Sequence, residues 1–234
     1  MDKTFVVTGG TGGLGTALVR RLNARGYRLA VTYLMPDEAE AFEEEFEVDD
    51  EQLLLTRVDA TNPEAVATLF KNVSDKWGEI HGLCSLVGGW AGGRDVEETD
   101  EVRLERMLDL NLRSAFYAVR SAVPYLKESG WGRIVLVGSR GAVDFPEGQA
   151  AFNIAKAGVI ALGKTLAGEL EGSGVTANVL MPSVIDTPAT RESLPYADYV
   201  NWPTPDEIAA VAEFLMSDES EVMNGALVPV YGRA

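Results

Sequence analysis

The sequence predicts a single α/β domain built on a doubly wound parallel sheet of about seven strands, with helices on both faces. Strand-like apolar segments alternate with helical segments along the whole chain, as expected for parallel strands joined by crossover helices. A glycine-rich turn follows the first strand and opens a helix, which is typical of such domains. No repeat, low-complexity linker or change of composition divides residues 1–234, so we expect one domain.

The strands and helices are predicted from the spacing of apolar residues. The predicted strands are 4–8, 28–33, 52–58, 82–87, 133–137, 175–181 and 226–230. The first predicted helix covers 16–25, and the clearest one follows the third strand. There, Asn62 and Pro63 supply a side-chain cap and a proline at the first helical position. Apolar residues then recur at helical spacing at Val66, Leu69, Phe70, Val73 and Trp77.

Composition indicates an ordinary globular protein. Hydrophobic residues make up 46% of the chain and charged residues 24%. No apolar run approaches the ~20 residues that cross a bilayer, and the chain enters a strand without a leader. We therefore expect a cytoplasmic protein without a membrane partner. The single cysteine, Cys84, excludes internal disulfides and lies in an apolar strand, where we expect a buried and inert thiol.

The charge balance bears on possible partners. The formal net charge is −16, and acidic residues cluster between positions 37 and 51. A protein that binds nucleic acid needs a basic face, so this class of partner is not expected. No Cys/His cluster or paired-carboxylate spacing indicates a metal site. A small molecule is the expected partner.

The turn after the first strand is a candidate cofactor site. Its glycines let backbone amides approach a pyrophosphate at the positive end of the following helix, as in Rossmann-type domains. The candidate dinucleotide-binding residues of this turn are Gly9, Thr11, Gly13, Leu14 and Gly15.

The end of the second strand bears on the choice between NAD and NADP. An acidic residue there binds the ribose 2′-hydroxyl of NAD, whereas a basic residue accepts the 2′-phosphate of NADP. Tyr33 at this position is neither. The absence of an acid removes a repulsion against phosphate and favours NADP, with NAD as the alternative. Tyr33 can also simply pack at the end of the strand.

A second set of residues resembles the catalytic region of the short-chain dehydrogenase/reductase family. That family carries Tyr-x-x-x-Lys on a helix, with a serine upstream. Here Lys156 stands four residues after Phe152, and Ser139 stands thirteen before it. The resemblance implies that Ser139 orients the substrate and that Lys156 binds the nicotinamide ribose. It also implies that Asn111 supports a proton-relay water beside the lysine.

The resemblance covers the whole chain, with some departures. Asp59 matches the aspartate that meets the adenine ring. The segment from Pro182 to Thr187, which includes Ile185, resembles the one that holds the nicotinamide carboxamide, although the usual Pro-Gly is Pro-Ser here. Gly88 closes Ser-Leu-Val-Gly, where the family has Asn-Asn-Ala-Gly.

Phe152 stands where the family has its catalytic tyrosine. In the family, the tyrosine hydroxyl protonates the carbonyl oxygen as hydride arrives, and Phe152 cannot donate a proton. Loss of a general acid typically costs ~10²–10⁴ in rate. Three explanations remain open: a natural departure in a weakly active protein, an engineered substitution, or a substrate that needs little acid assistance.

The segment after the fourth strand bears on the substrate. The loop 88–93 resembles that of dihydropteridine reductases, as does the segment 185–205. Trp90 on this loop can stack on a flat heteroaromatic ring or cover the end of the sheet. Arg140, beside Ser139, is a further candidate substrate residue. The expected function is NAD(P)H-dependent reduction of a small carbonyl or quinonoid pterin. The alternative is a regulatory protein that binds the cofactor with little or no catalysis.

The apolar composition of one helix, together with a neighbouring helix, predicts that the chain associates with copies of itself. The helix that carries Phe152 and Lys156 is apolar or small on nearly every side, so it needs burial all round. The sheet can cover one face of it. The resemblance implies that a second copy covers the other, beside the helix predicted at 102–126. We therefore expect a homodimer or homotetramer.

Overall fold

Seven parallel strands form one sheet in the order β3-β2-β1-β4-β5-β6-β7 in the computed structural model, which describes residues 3–49 and 51–233. The strands are β1 Thr4–Thr8, β2 Arg28–Tyr33, β3 Leu53–Arg57, β4 Gly82–Ser85, β5 Gly132–Val137, β6 Val175–Pro182 and β7 Leu227–Val230. Every neighbouring pair is parallel. The predicted fold class is confirmed.

Helices connect the strands and cover both faces of the sheet. They are α1 Gly13–Ala24, α2 Pro36–Glu45, α3 Pro63–Trp77, α4 Glu101–Leu108, α5 Ser114–Ser129, α6 Gly141–Asp144, α7 Ala150–Glu169, α8 Pro188–Ser193 and α9 Pro205–Leu215. Short 3₁₀ turns lie at Val96–Glu98 and Asp218–Ser220, and a π-helical turn lies at Asp109–Arg113. The Asn62 side chain caps α3, as predicted, by accepting bonds from the amides of Glu64 and Ala65.

Each face of the sheet has its own apolar core. Side chains of α3, α5 and α7 pack on one face, where Phe70, Leu126 and Val159 are buried. Side chains of α1, α2 and α9 pack on the other, where Leu18 and Ile208 are buried. Because helices cover both faces, the central strands β1 and β6 are buried at every position.

The ends of several elements differ from the predictions. The fourth strand leaves the sheet after Ser85, whereas the prediction continued to 87, because the chain turns there toward the carboxyl edge of the sheet. Helix α1 begins at Gly13 rather than at 16. The helix predicted at 102–126 is interrupted by the π-helical turn, which apolar periodicity does not reveal.

The strand order reverses between β1 and β4, which are neighbours in the sheet but distant in the chain. At such a reversal the connections leave toward opposite faces, so a crevice opens beyond the carboxyl ends of the strands. The glycine-rich turn follows β1, and the loop with Trp90 follows β4. Both cofactor and substrate candidates therefore lie at this crevice.

Helix α7 is long and apolar enough, by length and composition alone, to cross a membrane. The expectation from the sequence that no segment would meet this condition is corrected here. On α7, Val159 and Leu166 belong to the core between the helix and the sheet. Because these side chains pack against the sheet, the apolar composition of α7 is explained by its position in the core.

Candidate active site

The glycine-rich turn between β1 and α1 forms a cradle that larger residues would fill. Gly9 has φ of +69°, and its amide donates a hydrogen bond to Thr32 Oγ1 at 3.0 Å. A methyl group on Gly15 would lie 2.5 Å from Gly10 Cα and from Gly9 O. Helix α1 begins after Gly12 without a side-chain cap. Its first amides can therefore face a ligand pyrophosphate, so the residues present fit a dinucleotide.

The segment after β6 reaches the same turn. A methyl group on Gly13 would lie 3.1 Å from Thr187 Cγ2, so the two segments are in near contact. Thr187 also begins α8, where its Oγ1 accepts a bond from the amide of Thr190 at 3.1 Å. The Thr187 amide donates to Ile185 O at 3.0 Å, and Pro182 ends β6. The structure thus brings the predicted nicotinamide segment to the pyrophosphate turn.

Ser139 and Phe152 meet around Gly141. Ser139 follows β5, and its Oγ accepts a hydrogen bond from the Gly141 amide at 3.1 Å. A methyl group on Gly141 would lie 3.4 Å from Ser139 Oγ and 3.7 Å from Phe152 Cε1. The spacing in the sequence therefore corresponds to proximity in space. Phe152 brings to this place a ring that carries no oxygen.

Lys156 lies one turn beyond Phe152 on α7 and is buried. Its Nζ donates a hydrogen bond to Val137 O at 2.8 Å. Burial lowers the pKa of its ammonium group to about 8. A methyl group on Gly88 would lie 3.3 Å from this Nζ and 2.8 Å from Asn111 Oδ1. The ends of β4 and β5 and helix α7 therefore converge on Lys156.

Asn111 lies in the π-helical turn and is buried. Its Oδ1 accepts a bond from the Gly89 amide at 3.2 Å, and its Nδ2 donates to Gly89 O at 2.9 Å. Nδ2 also donates to Met107 O at 3.1 Å. Asn111 thus fixes the loop after β4 through its backbone. π-Helical turns occur frequently at functional sites, and this one positions a predicted site residue.

Trp90 connects the loop after β4 to the start of α7. Its Nε1 donates to Gln149 Oε1 at 3.0 Å, and Gln149 precedes the first residue of α7. The indole packs on Gly92, where a methyl group would lie 2.4 Å from Cζ2 of the ring. The structure therefore gives Trp90 a connecting role, although its side chain is 53% exposed, and stacking on a substrate ring stays a hypothesis.

Arg140 is engaged with its own surroundings. Its Nε donates to Asp144 Oδ2 at 2.6 Å, and its guanidinium lies 5.0 Å from the centroid of the Tyr231 ring. The residue that replaces the expected glycine, Ser183, donates from Oγ to Tyr231 O at 2.9 Å. Arg140 therefore lies beside Ser139 in sequence but is paired with a carboxylate, which weakens its candidacy for binding an anionic substrate.

The two predicted adenosine residues lie at the carboxyl edge of the sheet. Tyr33 ends β2 and is half-buried. Asp59 follows β3, and its Oδ1 accepts bonds from the amide and the hydroxyl of Thr61, at 2.9 and 2.7 Å. The carboxylate of Asp59 thus stabilises its own turn. Contacts of either residue with adenosine stay a prediction.

Two residues of the site were missed by the sequence analysis. Asn153 is buried, and its Nδ2 donates to Pro146 O at 3.0 Å. Its Oδ1 has no hydrogen-bond partner within residues 3–49 and 51–233, and it lies 3.2 Å from a methyl group placed on Gly141. Glu38 Oε2 accepts a bond from Thr11 Oγ1 at 3.2 Å. No spacing rule in the sequence connects α2 to the glycine-rich turn.

The side chains that could ligate a metal are dispersed. In the part of the chain that the structure describes, no group of three or more His, Cys, Asp or Glu residues could hold a metal ion. Cys84 is fully buried in β4, and burial raises the pKa of its thiol. Its predicted burial is confirmed.

Comparison with known proteins finds relatives that match most of the chain. The family model described as Enoyl-(Acyl carrier protein) reductase matches residues 9–232. The 3-oxoacyl-[acyl-carrier-protein] reductase MabA of Mycobacterium bovis is 30% identical over 240 residues, which cover 99% of this chain and 92% of that protein. The D-beta-hydroxybutyrate dehydrogenase of Rhizobium meliloti is 33% identical over 200 residues, covering 83% and 76%.

A solved structure shares the fold over nearly the full length. It is a short-chain type dehydrogenase/reductase from Mycobacterium ulcerans, with a TM-score of 0.92 and 25% identity. The match covers 99% of this chain and 89% of that one. The correspondence therefore includes the sheet, both helical layers and the crevice where the candidate residues meet.

Proposed function

The chain belongs to the short-chain dehydrogenase/reductase family, and from this premise we propose that it is a nicotinamide-dependent oxidoreductase that acts on a small carbonyl compound. The observation that carries the proposal is the placement of two pairs of residues beside the glycine-rich turn: Ser139 and Phe152 near Gly141, and Lys156 and Asn111 near Gly88. The enzyme class follows from the relatives. The substrate, the residue roles and the effect of Phe152 are our proposals.

The cofactor supplies a hydride from its reduced nicotinamide. Residues of this chain would hold it at both ends of the crevice. The turn with Gly9, Gly13 and Gly15 offers the α1 amides to the pyrophosphate. Thr187, in near contact with that turn, would border the nicotinamide, and the Lys156 ammonium would bind the adjoining ribose.

Reduction of a carbonyl requires a proton on its oxygen as well as hydride on its carbon. The Ser139 hydroxyl can donate a hydrogen bond that orients the oxygen. The ring of Phe152 lies where this family's acid would act, and it has no proton to give. Lys156 carries its proton at neutral pH because its pKa lies about 8. We assign the protonation to Lys156 acting through water, at a reduced rate.

The substrate class is inferred from the relatives and from the rim of the site. Two relatives named above act on a 3-oxoacyl thioester and on a 3-hydroxy acid, which share an oxygen at the third carbon of an acyl chain. Helix α6 and the residue after it follow Ser139 closely and expose apolar side chains, Val143 and Phe145. Phe145 has φ of +47°, an uncommon conformation for a bulky residue. An apolar acyl chain suits this rim.

The pterin hypothesis gains no comparable support. It depended on Trp90 as a stacking surface, and the indole is bonded to Gln149 and packed on Gly92. None of the relatives compared above is named for a pterin substrate. A 3-oxoacyl thioester is therefore the first substrate to test.

Phe152 favours one competing function, a regulatory protein that binds the cofactor without turning it over. The two functions share the cradle and differ only in chemistry at the carbonyl. The discriminating experiment measures oxidation of NADH and NADPH with acetoacetyl-CoA, for the unaltered chain and for Phe152→Tyr. Phe214→Tyr is the matched control, because it adds the same hydroxyl to an exposed ring of α9, outside the proposed substrate site.

We expect slow turnover by the unaltered chain and an increase of ~10²–10⁴-fold in Phe152→Tyr. Phe214→Tyr should behave as the unaltered chain does. Equal rates in all three proteins would show that a hydroxyl at position 152 does not limit protonation, and would overturn the proposal that Phe152 reduces the rate. Cofactor binding without turnover by Phe152→Tyr, on this and on simple ketones, would overturn the reductase function in favour of the regulatory one.

A second copy of the chain is the proposed macromolecular partner. Ile154 on α7 and Phe116 on α5 are large apolar residues that stay about half exposed. Their exposure leaves apolar surface on the two helices predicted to associate. We propose a homodimer or homotetramer through this surface. Light scattering should give a multiple of the chain mass, and Ile154→Glu should shift the mass toward the monomer.

A further inference from the structure

A carboxylate borders the glycine-rich turn from an unexpected direction. Glu38 belongs to the first turn of α2, five residues beyond Tyr33. Its side chain reaches back to the turn after β1, where Thr11 Oγ1 donates a hydrogen bond to Oε2 at 3.2 Å. Both groups are exposed, so the contact lies at the mouth of the crevice rather than in the core.

The contact lies beside the position of the adenosine ribose. The turn rests on the end of β2, because the amides of Gly9 and Gly10 donate to Thr32 Oγ1 and Thr32 O, at 3.0 and 3.1 Å. In this fold the pyrophosphate binds at the start of the first helix, and the ribose 2′ position lies beside the end of the second strand. Glu38 connects these two places through Thr11.

We propose that Glu38 is a specificity-determining residue that selects NAD(H) and disfavours NADP(H). The inference rests on the proposed function, since it concerns the cofactor of the same site. A carboxylate accepts hydrogen bonds from ribose hydroxyls but repels a 2′-phosphate, which carries charge of the same sign. Asp37 adds a second negative charge in the same helical turn.

One cation faces the same region and could act in the opposite direction. Arg57 ends β3 in register with Tyr33, and its Nε donates to Leu34 O at 3.1 Å. This hydrogen bond ties the guanidinium to the backbone beyond β2. The carboxylate of Glu38, by contrast, is bonded directly to the cofactor turn. We therefore assign selectivity to Glu38.

This inference reverses the preference drawn from the sequence. The sequence favoured NADP because Tyr33, at the end of β2, is not acidic. Binding of the ribose 2′-hydroxyl requires a carboxylate near the ribose. Any segment of the chain that reaches this place can supply it. Here the first turn of α2 supplies the acid, from outside the position that the rule inspects.

The experiment is a binding titration of the purified, cofactor-free protein with NADH and with NADPH, followed by calorimetry. It compares the unaltered chain with Glu38→Gln, which keeps the shape and removes the charge. Glu44→Gln is the matched control, because Glu44 is an exposed acid of the same helix. Circular dichroism and thermal unfolding establish that all three proteins are folded.

We expect the unaltered chain to bind NADH more tightly than NADPH by roughly tenfold or more. Glu38→Gln should lose most of that ratio, chiefly through tighter NADPH binding, and Glu44→Gln should keep it. Raising the salt concentration should narrow the ratio in the unaltered chain, because the charges are exposed.

Two results would overturn the inference alone. One is that the unaltered chain binds NADPH as tightly as NADH or more tightly. If Arg57→Gln then lost affinity for NADPH, the preference for NADPH would be assigned to Arg57. The other is an unchanged ratio in Glu38→Gln. If neither dinucleotide binds to any folded variant, the proposed function itself fails and the inference fails with it.

Discussion

The ammonium group of Lys156 lies 5.9 Å from the centroid of the Phe152 ring, one helical turn away. It donates its hydrogen bond to Val137 O at 2.8 Å. This buried cation thus lies against a backbone carbonyl and the face of a ring. Position 152 offers no hydroxyl that could accept or relay its proton. Desolvation therefore controls the chemistry of the lysine.

Cofactor affinity should depend on pH through Lys156. Its pKa lies about 8, so the group is charged at pH 7 and neutral at pH 9. The dissociation constant of NADH should rise as the pH passes through this value, because the charged donor to the ribose is lost. Lys156→Met should bind weakly at every pH. An equal pH dependence in this variant would assign the titration to another group.

The bonds between Asn111 and Gly89 should affect cofactor binding as well as stability. Asn111→Ala leaves the partly buried backbone groups of Gly89 without their side-chain partner and should cost about 1 kcal/mol in the free energy of unfolding. It should also weaken cofactor binding, because the loop after β4 loses its position. Asp49→Ala removes the acceptor of the Glu51 and Gln52 amides in the turn before β3, at the opposite, amino edge of the sheet, and should likewise lower the free energy of unfolding. If both variants bind the cofactor alike in calorimetry, the positioning role of Asn111 is wrong.

Gly15 should tolerate no side chain. In Gly15→Ala the new methyl group would lie 2.5 Å from backbone atoms of the turn, so the cradle must open. We expect cofactor affinity to fall below detection in the same titration. Gly168→Ala, in α7, meets no atom within 4 Å and should stabilise the chain by ~0.5–1 kcal/mol. Measurable NADH binding by Gly15→Ala would contradict the close packing described for the turn.

The single histidine should make stability depend on pH below neutrality. His81 Nδ1 accepts a hydrogen bond from the Thr4 amide at 3.1 Å, and burial lowers the pKa of the ring below 6.5. The native state therefore resists protonation, and the unfolded state binds more protons as the pH falls through 6.5. Stability present at pH 7 should decrease toward pH 5 in urea titrations. His81→Gln should remove this pH dependence of stability. If the dependence persists in the variant, it arises from carboxylates instead.

Patterns of short range predicted most of the fold. The seven strands were found because parallel strands buried on both faces are continuous apolar runs. The glycine-rich turn is recognisable because its close backbone packing excludes a side chain at Gly15, where a methyl group would lie 2.5 Å from Gly9 O. The spacing of Ser139, Phe152 and Lys156 predicted a cluster. In the structure Ser139 and Phe152 both lie near Gly141, and Lys156 Nζ lies 5.9 Å from the centroid of the Phe152 ring, while their catalytic roles stay a prediction.

Contacts between segments that are distant in the chain could not be predicted from the sequence. The bond of Trp90 to Gln149 and that of Thr11 to Glu38 join side chains whose separation follows no periodicity. The π-helical turn around Asn111 was also missed, because one extra residue in a turn barely alters apolar spacing. These features depend on how elements approach one another, which local propensity does not encode.

The reversal of strand order between β1 and β4 has a consequence for folding. All other neighbours in the sheet are consecutive strands, so β1–β3 and β4–β7 can each assemble from nearby chain. Joining them requires β1 to meet β4 across 77 residues, the separation of Thr8 and Ser85. The glycine-rich turn belongs to one half and Ser139, Lys156 and Thr187 to the other. A bound dinucleotide would therefore contact both halves and bridge the β1–β4 pairing, which has the longest separation in the chain. Hydrogen exchange along β1 and β4 should slow most when the dinucleotide binds.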